Sequence, residues 1–329
     1  MMQRQAAQAR RSGGAAQRVG AARVAGSAPV RRALVAARGS SSGQPAQAAA
    51  ASDRAQRSFH EGVTLTSYEG NSFGVKFNQT GCRVLVDPWL VSDLSFFNQA
   101  WAYIGRKRVL VPGRLNVDEV ASETDVILLS QYLDDHTHMP TLERLPKNIP
   151  VIAQPEAAAR IAPLGFTDVR TVAPGASIDA CGGRLRVTAT AGALVGPPWS
   201  TRQNGYVLQE LGAARPARLY YEPHCDFDES SVASVGRVDV VVSPVLDVLL
   251  GGYPLVKGGQ ELTKLLRLLR PSVLVPLLNA DLDQEGGLTA LMSTRGDLAA
   301  LRDTLAAAGL GEVDVDMPAP PGEAFAIAL

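Results

Sequence analysis

From Val63 onward the apolar residues fall in short blocks separated by Gly, Asn, Asp and Pro. Val63–Thr66, Phe73–Phe77 and Val84–Val86, with Gly- and Asn-containing turns between them, predict three short strands. Val126–Leu129 is apolar at every position and predicts a strand covered on both faces. Val151–Ala153 predicts another, leading through Pro155 into a helix over Glu156–Leu164 that Gly165 closes. Strands are predicted again at Val169–Val172, Leu185–Ala189, Gly205–Gln209, Leu219–Tyr221, Val238–Ser243 and Val273–Pro276. Gly259–Leu269 has helical spacing, with Leu262, Leu265, Leu266 and Leu269 on one face. A last helix is predicted over Asp297–Ala308, stopped by Gly309. Strands first, then strands alternating with helices, predict an α/β fold in which two sheets pack together with helices outside. No linker divides residues 58–329, so one domain is expected there.

Residues 1–57 have a different texture. They hold ten of the 32 basic residues, all arginine, one of the 32 acidic residues (Asp53), and no aromatic side chain. Such a segment cannot bury enough apolar surface to offset its ordering entropy, which predicts disorder. Arg-rich, acid-poor and Ser/Ala-rich composition is that of an organelle transit peptide; a disordered tail with no address is the alternative. The remainder carries 22 basic against 31 acidic side chains, a net −9. That balance argues against a nucleic-acid partner, which would need a basic excess to release counterions. No run of eighteen apolar residues occurs, so no transmembrane segment is expected. Three widely spaced cysteines, Cys82, Cys181 and Cys225, predict no disulfide framework and a reducing compartment.

The densest polar cluster is Ser130 through His138, directly after Val126–Leu129. Open α/β architectures place their sites at such carboxyl ends of strands. Asp135, His136 and His138 carry donors for a divalent metal. The plainer alternative is that Asp135 or Thr137 caps a helix beginning near Pro140, with the histidines solvated. Asp87, at a strand end before Pro88, either accepts an N–H from a metal ligand or only shapes the turn. Cys225, next to His224, reads as buried and inert; a reactive thiolate sharing a site with His224 would require a turn at Pro223. In the Gly- and Pro-rich stretch around Gly192–Trp199, Trp199 and Arg202 are candidate substrate-binding residues, Arg202 suited to a carboxylate or phosphate. An ordinary exposed loop is the alternative. There is neither a Gly-x-Ser-x-Gly elbow nor a phosphate loop.

Val84-Leu85-Val86-Asp87-Pro88-Trp89, followed by a buried strand, Ser130 and Asp135-His136, resembles the metallo-β-lactamase superfamily. Within it, the chain is similar to the branch of ascorbate-phosphate lactonase-like hydrolases. The likeness continues through Pro155, Leu164-Gly165-Phe166, Gly175, Val187-Thr188-Ala189, Asn204-Gly205-Tyr206, Tyr220-Tyr221 and Pro276. It implies a four-layer αββα sandwich binding one or two metal ions, commonly zinc. The family's His-x-His-x-Asp-His motif is altered: Gln131 and Leu133 stand at the leading histidines, whereas Asp135 and His136 match. The histidine expected after Val187–Ala189 is missing, His224 stands for the bridging aspartate, and the last histidine falls at Leu277-Leu278-Asn279. The resemblance therefore implies a mononuclear site of Asp135, His136 and His224, for zinc or alternatively iron or manganese. Asp135 and His138 are its candidate catalytic groups, His138 as a fourth ligand or proton shuttle. The variant motif, with Tyr-Tyr-Glu-Pro-His, is similar to a branch of cyanobacteria and plastids, which favours the chloroplast stroma over the mitochondrion.

Two functions are expected from this. One is a plastid hydrolase of a small ester, lactone or phosphorylated compound. The other is a metal-free, inactive member of the fold that serves a protein partner as a binding or assembly factor. The first requires the imidazoles of His136 and His224 to converge to about 4–5 Å, as ligands of one ion do.

Overall fold

The computed structural model describes residues 59–95, 99–110, 114–195 and 199–329. The transit-peptide expectation for residues 1–57 lies outside them. Two seven-stranded sheets pack face to face. The first runs, across the sheet, Ala324–Ile327, Val63–Ser67, Phe73–Phe77, Arg83–Val86, Val126–Leu129, Val151–Ala153, Val169–Thr171. The second runs Asp314–Val315, Val273–Leu277, Val240–Pro244, Arg218–Tyr221, Asn204–Glu210, Leu185–Ala191, Ser177–Ala180.

Alternation explains the layering. Phe73, Val75 and Phe77 turn inward from one strand and meet Leu185, Val187, Tyr221 and Val242 of the facing sheet. Val126–Leu129 divides its side chains as its continuous apolarity predicts. Val126 and Leu128 enter the core between the sheets, while Ile127 and Leu129 pack against helices Val117–Ser122, Met139–Arg144 and Pro155–Ile161. The second sheet is covered likewise by Glu229–Ser234, Gly259–Leu269 and Leu301–Ala307, with Leu262, Leu265, Leu266 and Leu269 buried. This is the αββα sandwich that the resemblance implied.

Boundaries shift where local chemistry intervenes. The first predicted helix is α only over Pro155–Ile161, N-capped by the Gln154 side chain, and tightens into a 3-10 turn that Gly165 closes at φ 77°. The last helix begins at Leu301, because Asp297 instead accepts the Ala299 N–H in a turn (2.8 Å). A small sheet of Asp247–Leu250, Tyr253–Val256 and Met292–Arg295 is not predicted from the sequence: its first two strands are apolar but short and interrupted by Gly251-Gly252 and Pro254, and the third is polar and largely exposed.

One expectation is overturned: a disulfide joins Cys82 and Cys181, 99 residues apart. Cys82 precedes a strand of the first sheet and Cys181 follows a strand of the second, so the bond ties the sheets together. Spacing along the chain cannot reveal such a pair. With Asp125, these cysteines form the group of three donor atoms lying within 4.8 Å of one another among the described residues. The sulfur–sulfur bond leaves no thiolate there for an ion. Asp87 sits at the opposite end of the strand that Cys82 precedes.

In each sheet, four neighbouring strands run parallel. Asp87 and Ser130 follow two of these strands in the first sheet, and Glu222 and Leu278 follow two in the second.

Candidate metal centre

Asp87 is fully buried and adopts φ 42°, an uncommon conformation for a residue with a side chain. Its carboxylate accounts for the strain. Oδ1 accepts the Ser130 N–H (2.7 Å), and Oδ2 accepts the Ser130 hydroxyl (2.5 Å), the Tyr221 hydroxyl (2.7 Å) and His136 Nδ1 (2.7 Å). Tyr221 belongs to the second sheet, so one side chain binds both halves of the sandwich. Of the two readings of Asp87, the structure takes the one in which it holds an imidazole N–H. The bond sets the His136 tautomer and turns Nε2 outward. Burial alone would lower the pKa of His136, but the charges of Asp135 and Asp87 outweigh it and raise it above the ordinary imidazole value.

Nε2 faces a compact polar group. Asp135 Oδ2 lies 3.4 Å from it, and Asn71 Nδ2 is 3.2 Å from Nε2 and 3.0 Å from Asp135 Oδ2. The His224 ring stands 5.3 Å away, centroid to centroid, tilted by 44°. Its position comes from the turn after Arg218–Tyr221, where buried Glu222 accepts the backbone N–H groups of His224 (3.0 Å), Asp226 (3.0 Å) and Ala193 (3.3 Å). Burial pushes the Glu222 carboxyl up to about 8 despite those donors. Burial, then repulsion from His136, brings His224 down to about 3, so its ring is neutral. The Gln131 amide contacts His224 Nδ1 at 2.6 Å.

Donors about 2.0–2.1 Å from a tetrahedral ion are separated by about 3.3 Å, and two such imidazole centroids by about 5 Å. The Asp135–His136 donor spacing matches; the His136–His224 rings, 5.3 Å apart, come near the second value but stop short of the convergence to about 4–5 Å expected from the sequence. Asn71 Oδ1, Gln131 Oε1 and Asp135 Oδ1 are also buried without a hydrogen-bond partner. Unpaired acceptors of this kind are costly unless a cation or donor satisfies them. By its chemistry, one carboxylate and two imidazoles, the donor set suits one cation; the present spacing of the three does not hold one. Loading requires rearrangement, because Asp135, His136 and His224 do not yet lie mutually within 4.8 Å, and carboxamides of Asn71 and Gln131 cover their lone pairs.

Other expected site residues lie elsewhere. His138 is the N-cap residue of Met139–Arg144 but makes no side-chain cap. Its Nδ1 meets Thr141 Oγ1 at 2.9 Å and its ring leans on Trp89, centroids 5.8 Å apart. Burial, reinforced by Lys107, lowers it to about 4, leaving a neutral ring directed at Trp89 and Thr141. The alternative cap at Asp135 or Thr137 is corrected too: Thr137 donates to the Gln131 carbonyl (2.5 Å) and Asp135 faces His136. Trp199 is 85% exposed. Arg202 donates to the Gly192 carbonyl (2.7 Å) and pairs with Asp226 (3.4 Å). Cys225 is fully buried, and burial pushes its thiol well above the ordinary value, in keeping with an inert side chain.

Asn71, Tyr221 and Glu222 escaped the sequence reading as site residues. Asn71 looks like any asparagine in a Gly-Asn turn. Tyr221 could have been found, because strand alternation directs it inward at the carboxyl end of its strand.

A family model described as a beta-lactamase superfamily domain matches residues 64–278. No curated protein matches the chain. Among solved structures, an isothiocyanate hydrolase from Delia radicum gut bacteria is similar at 18% identity, over 80% of this chain and 99% of that one, with a TM-score of 0.58. A metallo hydrolase from the archaeon Ignicoccus hospitalis is similar at 16% identity, over 80% and 98%, with a TM-score of 0.54. A diiron β-hydroxylase from Streptomyces venezuelae is similar at 14% identity, over 82% of this chain and 54% of that one, with a TM-score of 0.54. At these identities the likeness is one of fold.

Proposed function

Because the chain belongs to the beta-lactamase superfamily, we propose that it is a hydrolase holding one divalent cation with Asp135, His136 and His224. The observation that carries this reading is the 2.7 Å contact from His136 Nδ1 to buried Asp87, which leaves Nε2 toward Asp135 and His224. Metal-ligating histidines are held from behind by a carboxylate in this way. A bound divalent cation supplies a Lewis acid for a carbonyl or phosphoryl oxygen and acidifies water. Asp87 keeps His136 in the ligating tautomer, Glu222 holds the His224 turn, and Asp135 Oδ1, free of protein partners, is the oxygen left to take a proton. The substrate class is a small ester, lactone or phosphorylated compound, and zinc is the first choice of metal, with iron or manganese as alternatives. His138 enters only as a neutral ring bound to Thr141.

Metal analysis of the purified full chain tests this. About one equivalent per chain is expected, falling at least about tenfold in His136→Ala and in His224→Ala. A metal-free wild-type chain, or a content indifferent to both substitutions, would sink the reading.

A second reading, a metal-free binding or assembly factor, is favoured by the Asn71 and Gln131 contacts, which already occupy lone pairs of the three ligands. It predicts thermal stability unchanged by a chelator. We also place the chain in the variant plastid branch and in the chloroplast stroma, with the mitochondrion as the alternative. The composition of residues 1–57 supports an organelle address, and the variant motif with Tyr220-Tyr221-Glu222-Pro223-His224 supports the branch and the plastid. A fluorescent protein fused behind those residues should enter plastids; cytosolic fluorescence would refute the address.

A further inference from the structure

A cavity of about 350 Å³ opens between the two sheets at their carboxyl edge, and neither Trp199 nor Arg202 lines it. We propose that it binds an uncharged, apolar small molecule, or the apolar part of a substrate.

The chemistry of the walls selects the ligand. Leu65, Phe73, Val242, Val275, Leu277 and Phe325 supply aliphatic and aromatic surface from both sheets. Another wall is the Pro318–Pro321 segment, whose prolines have no N–H to offer an anion. The one guanidinium present, Arg108, is already held by Glu69 (2.8 Å) and Asp281 (2.8 Å). Two carboxylates against one paired cation repel an anionic ligand and leave nothing to hold it. The volume and the apolar lining are those of small-molecule sites.

Its position links it to the candidate centre. Gly70 on the lining precedes Asn71, which contacts both Asp135 and His136. Leu278 on the lining precedes Asn279, whose side chain donates to the Pro223 carbonyl (2.9 Å) beside His224. The cavity is thus one residue removed, on each side, from an asparagine that contacts a loop carrying one of the two imidazoles. Leu277-Leu278-Asn279 stands where the family resemblance puts the last histidine, so the stretch that lacks that ligand also supplies apolar wall through Leu277 and Leu278. As a ligand site the cavity stands on its own geometry; as the substrate's site it rests on the hydrolase reading.

The test is calorimetric titration of the chelator-treated full chain with 1-alkanols from butanol to octanol. Affinity should rise about fourfold per methylene until the cavity is full. Val275→Phe should weaken the best binder at least about tenfold by occupying the space. Phe325→Ala should move the optimum to a longer alkanol, a gain that a misfolded protein cannot show. Affinity independent of chain length, equally tight binding of the matching alkanoates, or indifference to both substitutions would overturn the proposal. Chain-length-dependent binding by a chain that carries no metal as purified would remove the hydrolase reading and keep the cavity. A metal-loaded chain without chain-length dependence would do the reverse.

Discussion

Asp87→Asn is expected to lower stability by about 3–5 kcal/mol and to weaken cation binding by one to two orders of magnitude. The substitution preserves volume, so packing is not what changes. It replaces a buried carboxylate that accepts four hydrogen bonds by a group with one oxygen and one NH2, and that NH2 must confront at least one of the present donors. Either Ser130 loses its partners, loosening the loop that leads to Asp135 and His136, or His136 and Tyr221 do. In both cases the φ of 42° at residue 87 persists without the contacts that sustain it. Denaturant unfolding reads the first effect and competition with a chromophoric chelator reads the second. A loss below about 1 kcal/mol, the scale of one ordinary hydrogen bond, would mean that Asp87 is only a turn residue.

Removal of the Cys82–Cys181 bond, by reduction or in the Cys82→Ala/Cys181→Ala double variant, should cost about 4–5 kcal/mol. The link closes a loop with a sequence separation of 99 residues, and closing so long a loop restricts the unfolded chain more than a short one would. Cys82 is fully buried in the core between the sheets, so its anchoring end is rigid. The bond lies at the end of the strand opposite Asp87, so cation affinity should stay within about twofold of the oxidised chain, since distant sites add independently. Thermal unfolding with and without reductant checks the first statement. An unmoved midpoint in fully reduced protein would contradict it.

The parts of this molecule that announce themselves in sequence are those whose burial is one-dimensional. Val126–Leu129 is apolar at each position because both of its faces are covered, and Gly259–Leu269 shows its leucines at helical spacing because one face is covered. Asp135 and His136 were legible for a related reason: polar chemistry directly after a buried strand marks the strand's carboxyl end. Asn71 and Glu222 were not, because their roles are set by partners 64 and 29 residues away that no local pattern records. The cavity was illegible for the same cause, being walled by residues from both ends of the domain. Trp199 and Arg202 drew attention by residue type and by their Gly- and Pro-rich loop, and the fold gives them solvent and Asp226. The disulfide lay beyond sequence reading because only the stacking of the sheets brings Cys82 to Cys181.

Anomalous diffraction from crystals of the chain grown with zinc or manganese addresses the central claim most directly. A single peak about 2 Å from His136 Nε2, shared with Asp135 and His224, is the predicted result. Zinc or manganese density absent from that place, or found only at Asp125 beside Cys82 and Cys181, would contradict it.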